Sequence, residues 1–259
     1  GGSFPDGSVI LKEILTSAET QNGHPRHLAH AWRLYGDEAV SRGQIDAASE
    51  RYVKAARLDR RDLEAAIGAG LMATAQGKLA EARAHLEGVL ARDPKATRAR
   101  VGMARLALGE EKLQEAQTHI DAALALAPES SVVHLWKGKV LEAQGDDVGA
   151  QKAEASYNQA IALDEHNYDA HVALSQLLIA HKRVEEGIAI LAPVEDAARS
   201  DPRLANTLGD AYLRAPQFVK AEEWFRTALA IEAANEATVV DALANIGVAR
   251  ESQGRAAEA

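Results

Sequence analysis

Apolar residues recur along the chain at i, i+3, i+4 and i+7, in runs of roughly 14 residues, close to four turns of helix. The runs come in pairs. In one pair the first helix covers Leu63 to Gln76, and Gly77 closes it in the left-handed conformation open to glycine. Leu79, Ala82, Leu86 and Val89 then form the inner face of the second helix.

The pairs repeat. One phrase returns as Ala55-Ala56-Arg57-Leu58-Asp59, Val89-Leu90-Ala91-Arg92-Asp93-Pro94, Ala123-Leu124-Ala125-Leu126-Ala127-Pro128, Ala160-Ile161-Ala162-Leu163-Asp164 and Ala228-Leu229-Ala230-Ile231-Glu232. Its spacing is 34 residues from Ala55 to Val89 and again to Ala123. The next step, to Ala160, is 37, which places three extra residues near Gly145-Asp146-Asp147. Two further ladders keep this register: Gly36, Gly70, Ala104, Gly138, Ser175, Gly209 and Gly247, and Ala48, Ala82, Ala116, Ala153, Gly187 and Ala221. A glycine inside a helix costs ~1 kcal/mol against alanine. Its return on a fixed period predicts helix crossings too close for a side chain. One such unit cannot bury its own apolar face, so stacked neighbours must supply the core.

The chain resembles the tetratricopeptide repeat family, whose unit is a helix-turn-helix of this length. The match is fullest over Trp32, Tyr35-Gly36, Ala39, Ala48, Tyr52 and Ala55, and again over Leu208-Gly209, Tyr212, Ala221, Phe225 and Ala228. The family's loop proline is present as Pro94 and Pro128 and replaced by Arg60, Glu165 and Ala233. The resemblance implies an all-α, right-handed α-solenoid of stacked repeats with a concave inner surface. Its repeats are approximately 29–62, 63–96, 97–130, 131–167, 168–201 and 202–235, with a partial one over 236–259. Residues 1–24 form an extension; Val9-Ile10-Leu11 and Ile14-Leu15 suit a short capping helix, and a strand over Ser8 to Ile14 is the alternative. At the other end Val240 to Gln253 reads as a first helix stopped by Gly254, with Arg255 to Ala259 starting a second and the natural protein continuing. Pro193 falls within a second helix, where proline removes a donor and clashes with the preceding turn. It predicts a break near Leu191 to Ala192.

Composition narrows the function. Lys plus Arg total 29 against 38 Asp plus Glu, a net charge of −9 that argues against nucleic acid as partner. There is no cysteine, which excludes disulfides and thiolate chemistry. No apolar run is long enough to span a bilayer, so a soluble protein of cytoplasm or periplasm is expected. Gly68-Ala69-Gly70-Leu71-Met72-Ala73 has dinucleotide-type glycines but lacks a preceding strand. His24, His27 and His30 recur by threes, a spacing that could face a metal, yet Pro25 interrupts them; solvated histidines are the reading adopted. Asp164-Glu165-His166 with Asp169 and His171 sit where helix caps belong rather than an acid/base pair. No catalytic residue, cofactor or metal site is assigned.

The resemblance implies that first helices line the concave groove. The residues in that position are Ile67, Leu71, Arg98, Val101, Arg105, Leu135, Trp136, Lys139, Val172 and Gln176. A clamp for a terminal carboxylate is disfavoured, because Asp37, Gly68 and Gly102 occupy its slots beside Arg33 and Arg98. Residues 51 to 105 carry 12 Lys plus Arg against 6 Asp plus Glu. Arg105 and Lys139 share a slot, with Trp136 expected nearly between them. Trp32 is expected to fill a core slot, and Trp224 to lie on the outer face or between repeats. The expected function is a non-catalytic protein-binding scaffold that takes a peptide or helix with apolar anchors and acidic residues. Self-assembly into a homo-oligomer and service as the accessory region of a larger secretion, assembly or enzyme complex are the alternatives.

Overall fold

The computed structural model describes residues 25–231 and 236–258, with side chains over 25–231 and 239–254. Every regular element among them is an α-helix. The chain divides into two units, 1–126 and 127–259. The first stacks three hairpins: α1 (Pro25–Ser41) with α2 (Ile45–Leu58), α3 (Leu63–Ala75) with α4 (Leu79–Arg92), and α5 (Thr97–Gly109) with α6 (Leu113–Leu126). In the second, α7 (Ser131–Glu142) pairs with α8 (Asp147–Leu163), and α9 (Tyr168–Ala180) with the short α10 (Val184–Ala189) and α11 (Ala192–Ala198). The hairpin of α12 (Pro202–Arg214) and α13 (Phe218–Ala230) follows, and α14 (Glu236–Glu258) completes it. The capping helix or strand expected before residue 25 lies outside the described residues.

Several first helices start on side-chain caps, although α5, which follows Ala96, does not. Asp62 accepts the N–H of Ala65 at 3.0 Å, Asn167 that of Ala170 at 3.1 Å and Asp201 that of Leu204 at 3.0 Å. These satisfy donors that the helix itself leaves open. The turns within hairpins use one left-handed slot, held by Gly43, Gly77 and Gly145 at φ of 66°, 70° and 76°. Glu111 and Lys182 fill the same slot at φ of 59° and 64°. A side chain costs ~1–2 kcal/mol in that conformation. Glu111→Gly is therefore expected to raise stability by up to ~1 kcal/mol, the relief being offset by glycine's freedom in the unfolded chain. A lower denaturation midpoint for this variant would contradict the reading.

The glycine ladder marks helix crossings. A Cβ on Gly36 would lie 2.9 Å from the Tyr52 ring, on Gly70 2.8 Å from Leu86, on Gly138 2.3 Å from Tyr157 and on Gly209 2.6 Å from Phe225. In each case the second helix presses a large side chain onto the first helix's backbone. Ala104 and Ser175 fill the same slot and are fully buried. Gly68 and Gly102 serve a second crossing, where a Cβ would meet Tyr52 at 2.7 Å and Leu86 at 2.9 Å. The dinucleotide-like glycines are thus explained by packing. Gly247 departs from the ladder, since a Cβ there meets nothing within 4 Å.

The expected break is present. α10 ends at Ala189, Ile190 and Leu191 bridge the gap, and Pro193 sits in the first turn of α11. The Val194 N–H, which an intact helix would direct at the Ile190 carbonyl, goes to Leu191 at 2.9 Å. His171 fills the vacancy. Its ring is buried, with one nitrogen 3.1 Å from the Ile190 carbonyl and the other 3.1 Å from that of Glu165. His171 is therefore a structural bridge inside α9, not part of the exposed loop cluster. The three extra residues lengthen α8 to 17, against 14 in α2, α4 and α6. Asp146 caps the addition by accepting the Gly149 N–H at 2.5 Å.

Two expectations need correction, and the two places expected for Trp224 narrow to the buried one. Gly254 does not stop a helix: α14 runs unbroken from Glu236 to Glu258. With no atom within 4 Å of the Gly254 Cβ position, nothing packed beside it forces a turn. Trp32 is half-buried rather than central, with its ring 5.9 Å from Tyr35 and the Lys54 ammonium 3.8 Å above it. Trp224 is buried in the core with Leu208, Tyr212 and Phe225.

Candidate functional site

The first helices present one face in each unit. In the first unit Arg33 lies 3.5 Å from Asp37 and 3.4 Å from Asp62, and His30 Nδ1 lies 2.9 Å from the same guanidinium. Arg98 pairs with Glu64 of the preceding repeat, both well exposed. Leu71 and Arg105 are half-buried beside them, while Ile67 and Val101 are buried in the core. In the second unit Leu135 and Val172 are likewise core residues. Trp136 and Gln176 remain half-buried, and the Lys139 ammonium stands 4.7 Å from the Trp136 ring.

The ten groove residues thus separate into two groups. Ile67, Val101, Leu135 and Val172 hold the repeats together, and their side chains are withdrawn from the surface. Leu71, Arg98, Arg105, Trp136, Lys139 and Gln176 keep accessible atoms. Helical spacing alone does not separate these groups, because a stripe at i and i+4 faces both the neighbouring repeat and the solvent. Arg105 belongs to the first unit, Trp136 and Lys139 to the second. Trp136 also leans on the core formed by Tyr157, Leu174 and their neighbours. On α12, Asn206 keeps a shielded side-chain oxygen without a hydrogen-bond partner. Such an unpaired buried acceptor is uncommon in folded proteins.

Ionisable groups elsewhere serve packing. Tyr52 donates to Asp37 at 2.7 Å and Tyr157 to Glu142 at 2.5 Å, so the crossings at Gly36 and Gly138 carry a phenol-carboxylate lock. Burial first, and then the adjacent carboxylate, holds both phenols well above their ordinary range. Arg83 on α4 reaches Glu115 on α6 at 2.6 Å and Glu110 at 2.5 Å, tying successive repeats. Glu115 is held below the usual carboxylate range, chiefly by its hydrogen bond from Arg83. Among the described residues no group of three or more His, Asp or Glu is placed to hold a metal ion. No helix among them is long and apolar enough to cross a membrane.

Sequence profiles for tetratricopeptide repeats match residues 35–97 in one case and 73–140 and 150–208 in another. The chain belongs to the tetratricopeptide repeat family. Solved structures with the same fold include a tetratricopeptide repeat protein from Parabacteroides merdae. It is 15% identical, with a TM-score of 0.66 and 92% of each chain covered. A thermophilic tetratricopeptide repeat protein of Thermus thermophilus is 21% identical, with a TM-score of 0.60 over 78% of this chain and 98% of that one. The Cut9-Hcn1 hetero-tetramer of the APC/C supplies a third, at 14% identity and a TM-score of 0.66; 93% of this chain matches 46% of that one. At these identities the likeness concerns the fold. No curated protein matches the chain in sequence. Tetratricopeptide repeats generally mediate protein-protein interaction, and proteins built from them are typically non-catalytic scaffolds.

Proposed function

We propose that this tetratricopeptide repeat protein is a scaffold whose first-helix faces bind a peptide or helix of a partner protein. The observation that carries the reading is the Trp136-Lys139 pair. Leu135 beside it is buried, whereas the indole keeps exposed surface under a cation. Such a pair offers a partner an aromatic anchor and a counter-charge for a carboxylate. Gln176 on the next first helix adds a polar group for a peptide backbone. In the first unit Leu71 gives apolar contact, and the exposed Arg98-Glu64 pair with Arg105 gives polar groups.

The test is capture of partners by the wild-type chain with identification by mass spectrometry, followed by binding kinetics on variants. Trp136→Ala is expected to raise the dissociation rate, by a factor corresponding to ~2 kcal/mol or more for a buried anchor. Lys139→Glu is expected to slow association at low salt. A Trp136→Ala protein that melts earlier yet binds normally would assign the indole to packing and overturn the proposal.

A further inference from the structure

A cleft of about 400 Å³ opens on the second-helix side of the first unit, between α2 and α4. Its apolar floor is formed by Val53, Ala56, Ala66 and Val89, and its rim carries Arg57, Arg60 and Arg92. The guanidiniums of Arg57 and Arg60 have no partner among the described residues. Arg92 donates only to the Arg60 carbonyl, which leaves its charge unneutralised. Two carboxylates are present, and one is already engaged: Asp62 caps α3 and pairs with Arg33. Glu81 stands near His85, at 3.8 Å.

The cleft exists because α4 is trimmed there. Ala84 and Gly88 lie one turn apart on its outer side, where the preceding repeat has Glu50 and Lys54. Unlike the crossing glycines, Gly88 has no atom within 4 Å of its Cβ position. Packing therefore gives no reason for a mid-helix glycine, and what it preserves is open space above an apolar floor. Three arginines share that space with one carboxylate not already held by a cation, Glu81, so the rim keeps a net positive charge that an incoming anion would relieve.

We propose that this cleft is a second binding site, which takes an acidic segment of a partner protein. Its carboxylates would accept from the guanidiniums of the rim, and a small apolar side chain would cover the floor. Arginine suits this role because its planar fork binds a carboxylate through two parallel hydrogen bonds. A nucleic acid fits the charge of the rim but not the rest of the molecule. Residues 127–259 alone carry 12 Lys plus Arg against 21 Asp plus Glu. The site is separate from the first-helix faces and does not depend on that reading.

The test uses a short fluorescein-labelled peptide of alternating glutamate and valine, and its glutamine-for-glutamate twin, read by fluorescence anisotropy. The glutamate peptide is expected to bind, more weakly as salt rises, and the glutamine twin is not. Gly88→Leu starts its side chain in open space and projects it into the cleft, so it should not lower the melting temperature and should weaken binding by about tenfold or more. Arg57→Glu with Arg92→Glu should abolish binding, whereas charge reversal at the exposed Lys152 of the second unit should leave it unchanged. Failure of the glutamate peptide to bind, equal binding of the glutamine twin or an unaffected Gly88→Leu variant would each overturn the proposal. So would tighter binding of single-stranded DNA through the same arginines. Light scattering that shows an oligomer dissolved by Gly88→Leu would give the cleft to a second copy of the chain and overturn the assignment to a partner.

Discussion

Gly70→Leu is expected to lower the melting temperature far more than Gly77→Ala, although each variant replaces one glycine by a residue with higher helix propensity. At Gly70 even a methyl carbon would stand 2.8 Å from Leu86 Cγ and 3.3 Å from His85 Cβ. Leucine would force α3 and α4 apart or drive Leu86 from its fully buried site. Overpacking of this kind typically costs ~1–3 kcal/mol, and more where both neighbours are fixed. Gly77 has φ of +70° and nothing within 4 Å, so alanine there meets only backbone strain of ~1 kcal/mol. Equal melting temperatures would show that α3 and α4 do not cross at Gly70.

Removal of the side chain that fills such a crossing should cost more again. Tyr157 is fully buried, and its ring packs directly over Gly138. Tyr157→Ala is expected to destabilise by ~3–5 kcal/mol, as aromatic truncation in a core commonly does. Tyr157→Phe keeps the ring and loses only the hydrogen bond to Glu142, worth ~1.5–3 kcal/mol because the acceptor is charged. Chemical denaturation measures both. In a repeat protein each unit contacts only its neighbours. Hydrogen exchange should therefore place the first opening of Tyr157→Ala in α7 and α8. A cost for Tyr157→Phe as large as that for Tyr157→Ala would mean that the phenol, not the ring, holds the crossing.

Most of the fold was legible because repetition averages out local ambiguity. A single glycine in a helix says little, but Gly36, Gly70, Gly138 and Gly209 on one register required a common cause, and the crossings supply it. Pro193 was readable because its cost is local. The role of His171 was not, since the carbonyl it binds is freed only by a break elsewhere in the chain. Gly254 misled for the opposite reason: glycine permits a stop but does not compel one. On the candidate face, spacing placed Ile67 and Leu71 together, and only packing showed that one is core and the other partly exposed. The basic excess between residues 51 and 105 was visible, but its gathering around a cleft between second helices was not.

The lengthened α8 has an angular consequence. Three residues advance a helix by about 300° and about 4.5 Å, so the same insertion mid-helix would rotate everything beyond it by roughly 60°. Tyr157 would then swing off the Gly138 backbone, and Ala153 and Ala160 would leave the core. Placed ahead of Gly149, the addition instead extends the helix outward and leaves that azimuth untouched. The turn around Gly145 and Asp146 is thus the seam of this hairpin at which chain length and side-chain direction are uncoupled, and where a reporter loop can be spliced without turning the core out of phase.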